Sequence, residues 1–216
     1  MVGFRARSKN FAQPAFKQDR YEKTFRFQSH FFFSPMFPWQ LLTPNLVLAQ
    51  PIWSLSHDTL AHHQIKGMIL DVDNTIISND RLEVCPQVVE WIATMKQHHK
   101  IWLISNNFSN KRIKYIAESL DLPYRSRAVK PSRRAIRYAI KDMNLEPEQV
   151  AMIGDRLFTD TIAGNRLGMF TILVPPISDN KGGDPSWVAK QSHHLRDWEI
   201  WLARKWGVNL GKDTSS

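Results

Sequence analysis

From about residue 65 onward, apolar and polar positions follow a regular order along the chain. The runs GMIL (67–70), IWLIS (101–105), RAV (127–129), VAMI (150–153) and FTILV (170–174) are short and bounded by polar residues, as buried strands are. Between them lie segments with helical spacing. Pro86 opens PQVVEWIATMKQHH, Ser109 opens SNKRIKYIAESL and Ser132 opens SRRAIRYAIKDMN, and each start carries an N-cap or N1 signal. Strands alternating with helices predict right-handed crossovers and a parallel sheet covered on both faces. The expected fold class is α/β, a doubly wound parallel sheet.

The ends of the chain break this rhythm. Residues 1–34 are basic and aromatic without a sustained period and read as a flexible extension. Residues 35–64 form an apolar, proline-broken arm, PMFPWQLLTPNLVLAQPIWSL at its heart, which either packs on the domain or dips into lipid. The domain proper is expected over 65–216. At its end, Leu195, Trp198, Trp201, Leu202 and Trp206 recur at helical spacing, which suits a helix completing the core or one docking at an interface. Ser178–Ser186, SDNKGGDPS, reads as a loop.

Composition limits the partners. With 216 residues and 43% hydrophobic content, the chain can bury a core and is not a disordered protein. A formal charge of +9 favours an anionic partner: nucleic acid, an acidic membrane or a phosphorylated substrate. Nucleic acid is disfavoured, because no aromatic-interleaved RNA signature accompanies the basicity. The lone Cys85 excludes an internal disulfide and a cysteine-based zinc site. No apolar run is long enough to cross a membrane. The basic start resembles a transit peptide only weakly, since Asp19 and Glu22 interrupt it. A cytoplasmic protein held peripherally at a membrane is expected.

Ligands of such a sheet sit beyond the carboxyl ends of the strands. Polar residues stand at four of these ends: Asp71, Asp73 and Thr75 in DVDNT; Ser105 and Asn106 in SNN; Lys130 in VKPS; Asp155 and Asp160 in GDRLFTD. In extended chain, residues two apart point the same way, so Asp71, Asp73 and Thr75 can converge on one site. DVDNT alone also suits a calcium-type loop or a solvated turn. The four together suit phosphoryl transfer: carboxylates require a cation, an all-oxygen site beside a phosphate fits Mg²⁺, and serine, backbone amides and lysine can neutralise the remaining oxygens. A carboxylate attacking phosphorus is the chemistry they suggest.

DVDNT, the strand-end serine, VKP and GDRLFTD, in this order over about residues 65–175, resemble the four motifs of haloacid dehalogenase-like (HAD) phosphatases. The resemblance implies a HAD-like Rossmannoid fold. It makes Asp71 the nucleophile and Asp73 the general acid and base. Mg²⁺ would be held by Asp71, the carbonyl of Asp73, and Asp155, and phosphate by Ser105, Asn106 and Lys130. Thr75 and Asp160 would support the site. The stretches between Asp73, Ser105 and Lys130 hold a turn and single helices, leaving no room for an inserted cap domain. The chain thus resembles the capless subfamily IIIA, and SNN with Arg112, KP and GDRLFTD look most like its YqeG-type branch, related to mitochondrial phosphatidylglycerophosphate phosphatases. That resemblance implies an anionic phospholipid substrate, and Arg112 and Arg156, which lie closest in sequence to the motif residues, are the candidates for headgroup contacts. The alternatives are a soluble HAD phosphatase for a nucleotide, sugar phosphate or phosphoprotein, and a non-catalytic protein that binds an acidic partner such as RNA.

Other charged groups have ordinary readings. Arg133, Arg137 and Lys141 share a helix face that solvates well or lines a basic rim. The adjacent pairs His62–His63, His98–His99 and His193–His194 lack metal-ligand geometry and are expected in solvent.

Overall fold

The computed structural model describes residues 38–79, 81–177, 197–205, 207, 208 and 210. The chain divides into two units, Met1–Met36 and Phe37–Ser216, and all described residues belong to the second. The expected extension (1–34), the loop at 178–186, Leu195 and Trp206 lie outside the described residues.

Six parallel strands form one sheet: β1 (Leu46–Val47), β2 (Gly67–Asp71), β3 (Lys100–Ile104), β4 (Tyr124–Arg125), β5 (Val150–Gly154) and β6 (Phe170–Leu173). Their order is β1-β6-β5-β2-β3-β4, so the chain reverses its direction of travel beside β2, the switch point at which such sheets open a crevice. The helices are α1 (His57–His62), α2 (Pro86–Met95), α3 (Asn110–Ser119), α4 (Arg134–Met143) and α5 (Ile162–Asn165).

Side-chain alternation explains why helices cover both faces. Met68 and Leu70 of β2, Ile101 and Leu103 of β3, and Ala151 and Ile153 of β5 join one buried cluster with Val88, Trp91 and Ile92 of α2 and Ile113 and Ile116 of α3. The intervening Ile69, Trp102, Ile104, Val150 and Met152 join a second with Ile136, Ala139 and Ile140 of α4 and Ala163 of α5. The two-residue period thus feeds two cores, and β2 is buried along its whole length.

Several expected boundaries shift. RAV is not a strand; the edge strand is Tyr124–Arg125, and RAV follows it as a loop with Arg127 and Val129 at positive φ. Helix α4 begins at Arg134, with Arg133 rather than Ser132 as its N-cap. Helices α2 and α3 do begin at Pro86 and after Ser109. The described part of the arm is folded in: β1 pairs with β6, and Leu42, Ile52 and Leu55 are buried. Among the described residues, only turns lie between β2 and α2, and no cap domain intervenes.

Candidate active site

Four strand ends bring their polar residues to one place. Asp71 closes β2 and is buried, because the sheet continues on both sides of it. Beyond it the chain turns sharply: Asn74 takes positive φ, 61°, a conformation asparagine tolerates better than most residues. Buried Thr75 donates to Asp71 Oδ2 at 3.3 Å, so it fixes the carboxylate's orientation.

Lys130 is the hub. Its Nζ lies 2.5 Å from Asp71 Oδ1 and 2.6 Å from Asp160 Oδ1, and it donates to the carbonyl of Ile104 at 3.3 Å. Asn106 secures its backbone, accepting from Lys130 N–H at 2.7 Å and donating to its carbonyl at 3.1 Å. Burial alone would lower the pKa of Lys130, but Asp160 and Asp71 outweigh it and raise the pKa above the usual lysine value. The ammonium is therefore permanently charged. For Asp71, burial, helped by Asp160 and Asp73, outweighs the pull of Lys130 and raises the pKa from 3.8 to about 7.

Asp155 and Asp160 follow β5. Carboxylate oxygens of Asp71, Asp155 and Asp160 lie within 4.8 Å of one another, and all three residues are buried. Lys130 pairs with Asp71 and Asp160, and the Arg156 guanidinium acts on Asp155 and Asp160, so the three carboxylates gathered in a dry place form an all-oxygen site that a hard divalent cation would complete. The donor set therefore fits Mg²⁺. Asp160 enters this trio directly, while the side chain of Asp73 does not. A glycine is required at 154: a Cβ there would come within 2.2 Å of Asp160 Oδ2. The π-helical turn Leu157–Thr161 returns Asp160 towards Asp155, and the N–H of Arg156 donates to Asp160 Oδ2 at 3.2 Å.

Asp73 stands apart, half-buried in its own cage. Ser105 donates to its Oδ2 at 2.7 Å, and Arg112 and Asn107 donate to its Oδ1 at 2.5 and 3.4 Å. Arg112 also donates to the carbonyls of Ser78 and Arg81, at 3.0 and 3.2 Å, and so ties the post-β2 loop to α3. Arg156 is likewise engaged: its guanidinium pairs with buried Glu199, on a helical segment at 197–205. Both arginines expected at a headgroup hold carboxylates of the protein itself. The Glu199 contact and the Asn107 contact to Asp73 were not anticipated from sequence.

The tail segment turns Ala203 and Glu199 inward, beside Leu42, Leu157 and Leu173, and leaves Trp198 and Trp201 more than half exposed, at 54% and 55%. The tryptophan stripe expected from spacing is therefore not its core face.

The chain is similar to several known proteins. A family model described as mitochondrial PGP phosphatase matches residues 33–178. The probable phosphatase YqeG of Bacillus subtilis is 38% identical over 132 residues, covering 61% of this chain and 76% of that protein. The chloroplastic/mitochondrial phosphatidylglycerophosphate phosphatase 1 of Arabidopsis thaliana is 25% identical over 77% of this chain, which spans 49% of that protein's length. A HAD phosphatase structure from Thermococcus onnurineus is similar at 16% identity and a TM-score of 0.43, over 57% of this chain and 90% of that one. Because the family match runs from before β1 to beyond β6 and takes in every strand-end motif, the chain belongs to the mitochondrial PGP phosphatase family and is a phosphatase.

Proposed function

We propose that this chain is a Mg²⁺-dependent phosphomonoesterase that works through an aspartyl-phosphate on Asp71, converts phosphatidylglycerophosphate to phosphatidylglycerol, and meets its substrate peripherally at a membrane surface. The observation that carries the chemistry is the carboxylate of Asp71, held by Lys130 and Thr75 beside two further buried carboxylates. The lipid substrate is supported by the names of relatives.

Asp71, Asp155 and Asp160 would hold the cation, whose charge keeps Asp71 ionised near neutral pH and offsets that of the phosphate. Asp71 attacks phosphorus and the ester P–O bond breaks; Asp73, held as a carboxylate by Ser105, Arg112 and Asn107, first takes up the proton that a phosphate monoanion carries and then gives it to the departing glycerol oxygen. Asp73 then takes a proton from water, the resulting hydroxide attacks phosphorus, and inorganic phosphate leaves Asp71 free. Ser105 has a double part: a phosphate oxygen arriving beside it competes with Asp73 for the hydroxyl proton, which frees Asp73 to face the leaving group. Lys130 stabilises the equatorial oxygens without changing protonation state.

The test is phosphate release from phosphatidylglycerophosphate in detergent micelles, set against soluble phosphomonoesters, with and without EDTA. Chelation should silence the enzyme and Mg²⁺ restore it. Faster turnover of soluble esters than of the lipid would overturn the substrate.

A further inference from the structure

We infer that Arg112 is a positioning residue for the acid–base step: it anchors Oδ1 of Asp73 and so presents Oδ2 as the oxygen that exchanges the proton with the leaving group and with water. The inference rests on the proposed aspartyl-phosphate chemistry and deepens it by naming what aims its acid. Each of the three guanidinium nitrogens has an acceptor of its own. One terminal nitrogen donates to Asp73 Oδ1 at 2.5 Å, the other to the carbonyl of Ser78 at 3.0 Å, and Nε to the carbonyl of Arg81 at 3.2 Å. Ser78 and Arg81 belong to the stretch that leads from Asp73 towards α2, so one planar group fixes both the carboxylate and the backbone behind it.

The donors divide the carboxylate into unlike halves. Arg112 and Asn107 both donate to Oδ1, whereas Oδ2 accepts from the Ser105 hydroxyl. A hydroxyl turns about one bond to meet an arriving phosphate oxygen, but the guanidinium cannot leave Oδ1 without giving up two carbonyls as well. Oδ1 therefore stays held when Oδ2 is released. Helix electrostatics point the same way. Arg112 occupies the first turn of α3, which holds no acidic residue, and the positive end of a helix dipole disfavours a cation there. The carboxylate of Asp73 in front of that turn offsets the cost. Lys130 serves Asp71 differently, as a point charge shared with Asp160, while Thr75 orients the carboxylate.

The experiment turns on the leaving group. Nitrophenolate departs from phosphorus without help, whereas an alkoxide needs a proton, so a misaimed acid slows alkyl esters selectively. In single turnovers of the full chain with Mg²⁺, Arg112→Lys should slow alcohol release from glycerol 3-phosphate and from micellar phosphatidylglycerophosphate about 10²-fold more than nitrophenol release from para-nitrophenyl phosphate. The lysine keeps the charge yet cannot span three acceptors. In an Asp73→Asn background the same substitution should cost no further selectivity, because the two residues act as one unit. Asn107→Ser drops a donor to Oδ1 and keeps an acceptor for the Ser109 N–H, so it should give the same bias at smaller size and stands in if the lysine variant does not fold. Equal slowing of all the esters, or a further loss of selectivity on top of Asp73→Asn, would overturn the inference and leave Arg112 as a tie between loop and helix. So would a parent that cleaves the nitrophenyl ester alone. Turnover by Asp71→Asn reads the aspartyl-phosphate separately, so a failed anchor and a failed nucleophile are distinguishable.

Discussion

The two ends of the central sheet both collect ionisable groups, and they treat them in opposite ways. At the carboxyl end Asp71, Lys130, Asp155 and Asp160 are all buried, and Lys130 touches two of the three carboxylates directly. At the amino end, Lys66, Lys96, His98 and Lys100 are exposed around an open depression of about 470 Å³, and only His99 is buried. The depression gathers basic groups on the surface, where water solvates them. The carboxyl end gathers three carboxylates out of water. Chemistry follows the buried charge, because a buried ion imposes a cost that a counter-ion, ligand or cation relieves.

The largest effect should come from removing the nucleophile. Asp71→Asn keeps shape and loses the attacking charge, so turnover should fall below detection while circular dichroism stays native. Substantial phosphate release by this variant with Mg²⁺ present would show that the carboxyl end does different chemistry. Lys130→Met tests the electrostatic half. It leaves Asp71 and Asp160 without their shared partner, and folding stability should drop by roughly 3–5 kcal/mol without metal. Added Mg²⁺ should recover part of that loss in urea titrations; equal stability with and without Mg²⁺ would remove the metal from the carboxylate trio.

Next in size is Gly154→Ala. The added methyl meets Asp160, and either Asp160 or β5 must shift, at a cost of about 1–3 kcal/mol. The telling readout is the Mg²⁺ concentration for half-maximal turnover, which should rise because Asp160 leaves the trio. Glu199→Ala acts one step further away. It strips the partly buried guanidinium of Arg156 of its partner and loosens the turn whose N–H holds Asp160, for a loss of about 1–2 kcal/mol. Thermal melts and the same Mg²⁺ titration check it. An unchanged Mg²⁺ midpoint with a lower melting temperature would make the tail helix a matter of stability alone.

Most of the carboxyl end was legible in the sequence because its residues sit at fixed points of a periodic pattern. A strand's last residue and the turn after it are local features, so Asp71, Thr75, Lys130 and Asp155 could be named before any coordinates. Ion pairs between distant segments leave no such trace. Arg112 reaches Asp73 across 39 residues and Arg156 reaches Glu199 across 43, and from sequence both arginines looked available to a headgroup. The two-residue strands β1 and β4 are too short to show a period, so the sequence points to RAV and not to Tyr124–Arg125. In the tail, Leu195, Trp198, Trp201, Leu202 and Trp206 share a face that suits either the core or an interface. The structure buries Glu199 and Ala203 instead, since Arg156 needs a counter-charge and the approach to Leu157 needs a small residue. Among the amino-end histidines, His62, His63 and His98 are exposed as expected, and His99 alone is buried, because His57 comes from α1 to meet both His98 and His99.

That last contact yields the smallest effect and the sharpest contrast between the ends. His57 Nδ1 lies 3.0 Å from His99 Nε2 and its ring stacks on His98 with centroids 4.1 Å apart, with Lys66, Lys96 and Lys100 around them. Burial, then the charges of His57 and His98, lowers the pKa of His99 below 6.5. The folded state thus binds this proton less readily than the unfolded chain. Its contribution to stability is complete above the unfolded pKa and is lost as the pH falls through about 6.5. Replacing His99 with glutamine removes the titration and keeps a polar side chain. The parent's melting temperature should therefore fall more steeply than the variant's between about pH 7.5 and about pH 5.5, while turnover at the far end of the sheet is nearly the same in both. Parallel melting curves would mean that His99 is protonated as easily in the fold as outside it. A matched collapse of turnover in the glutamine variant would show that the two ends of the sheet are not independent.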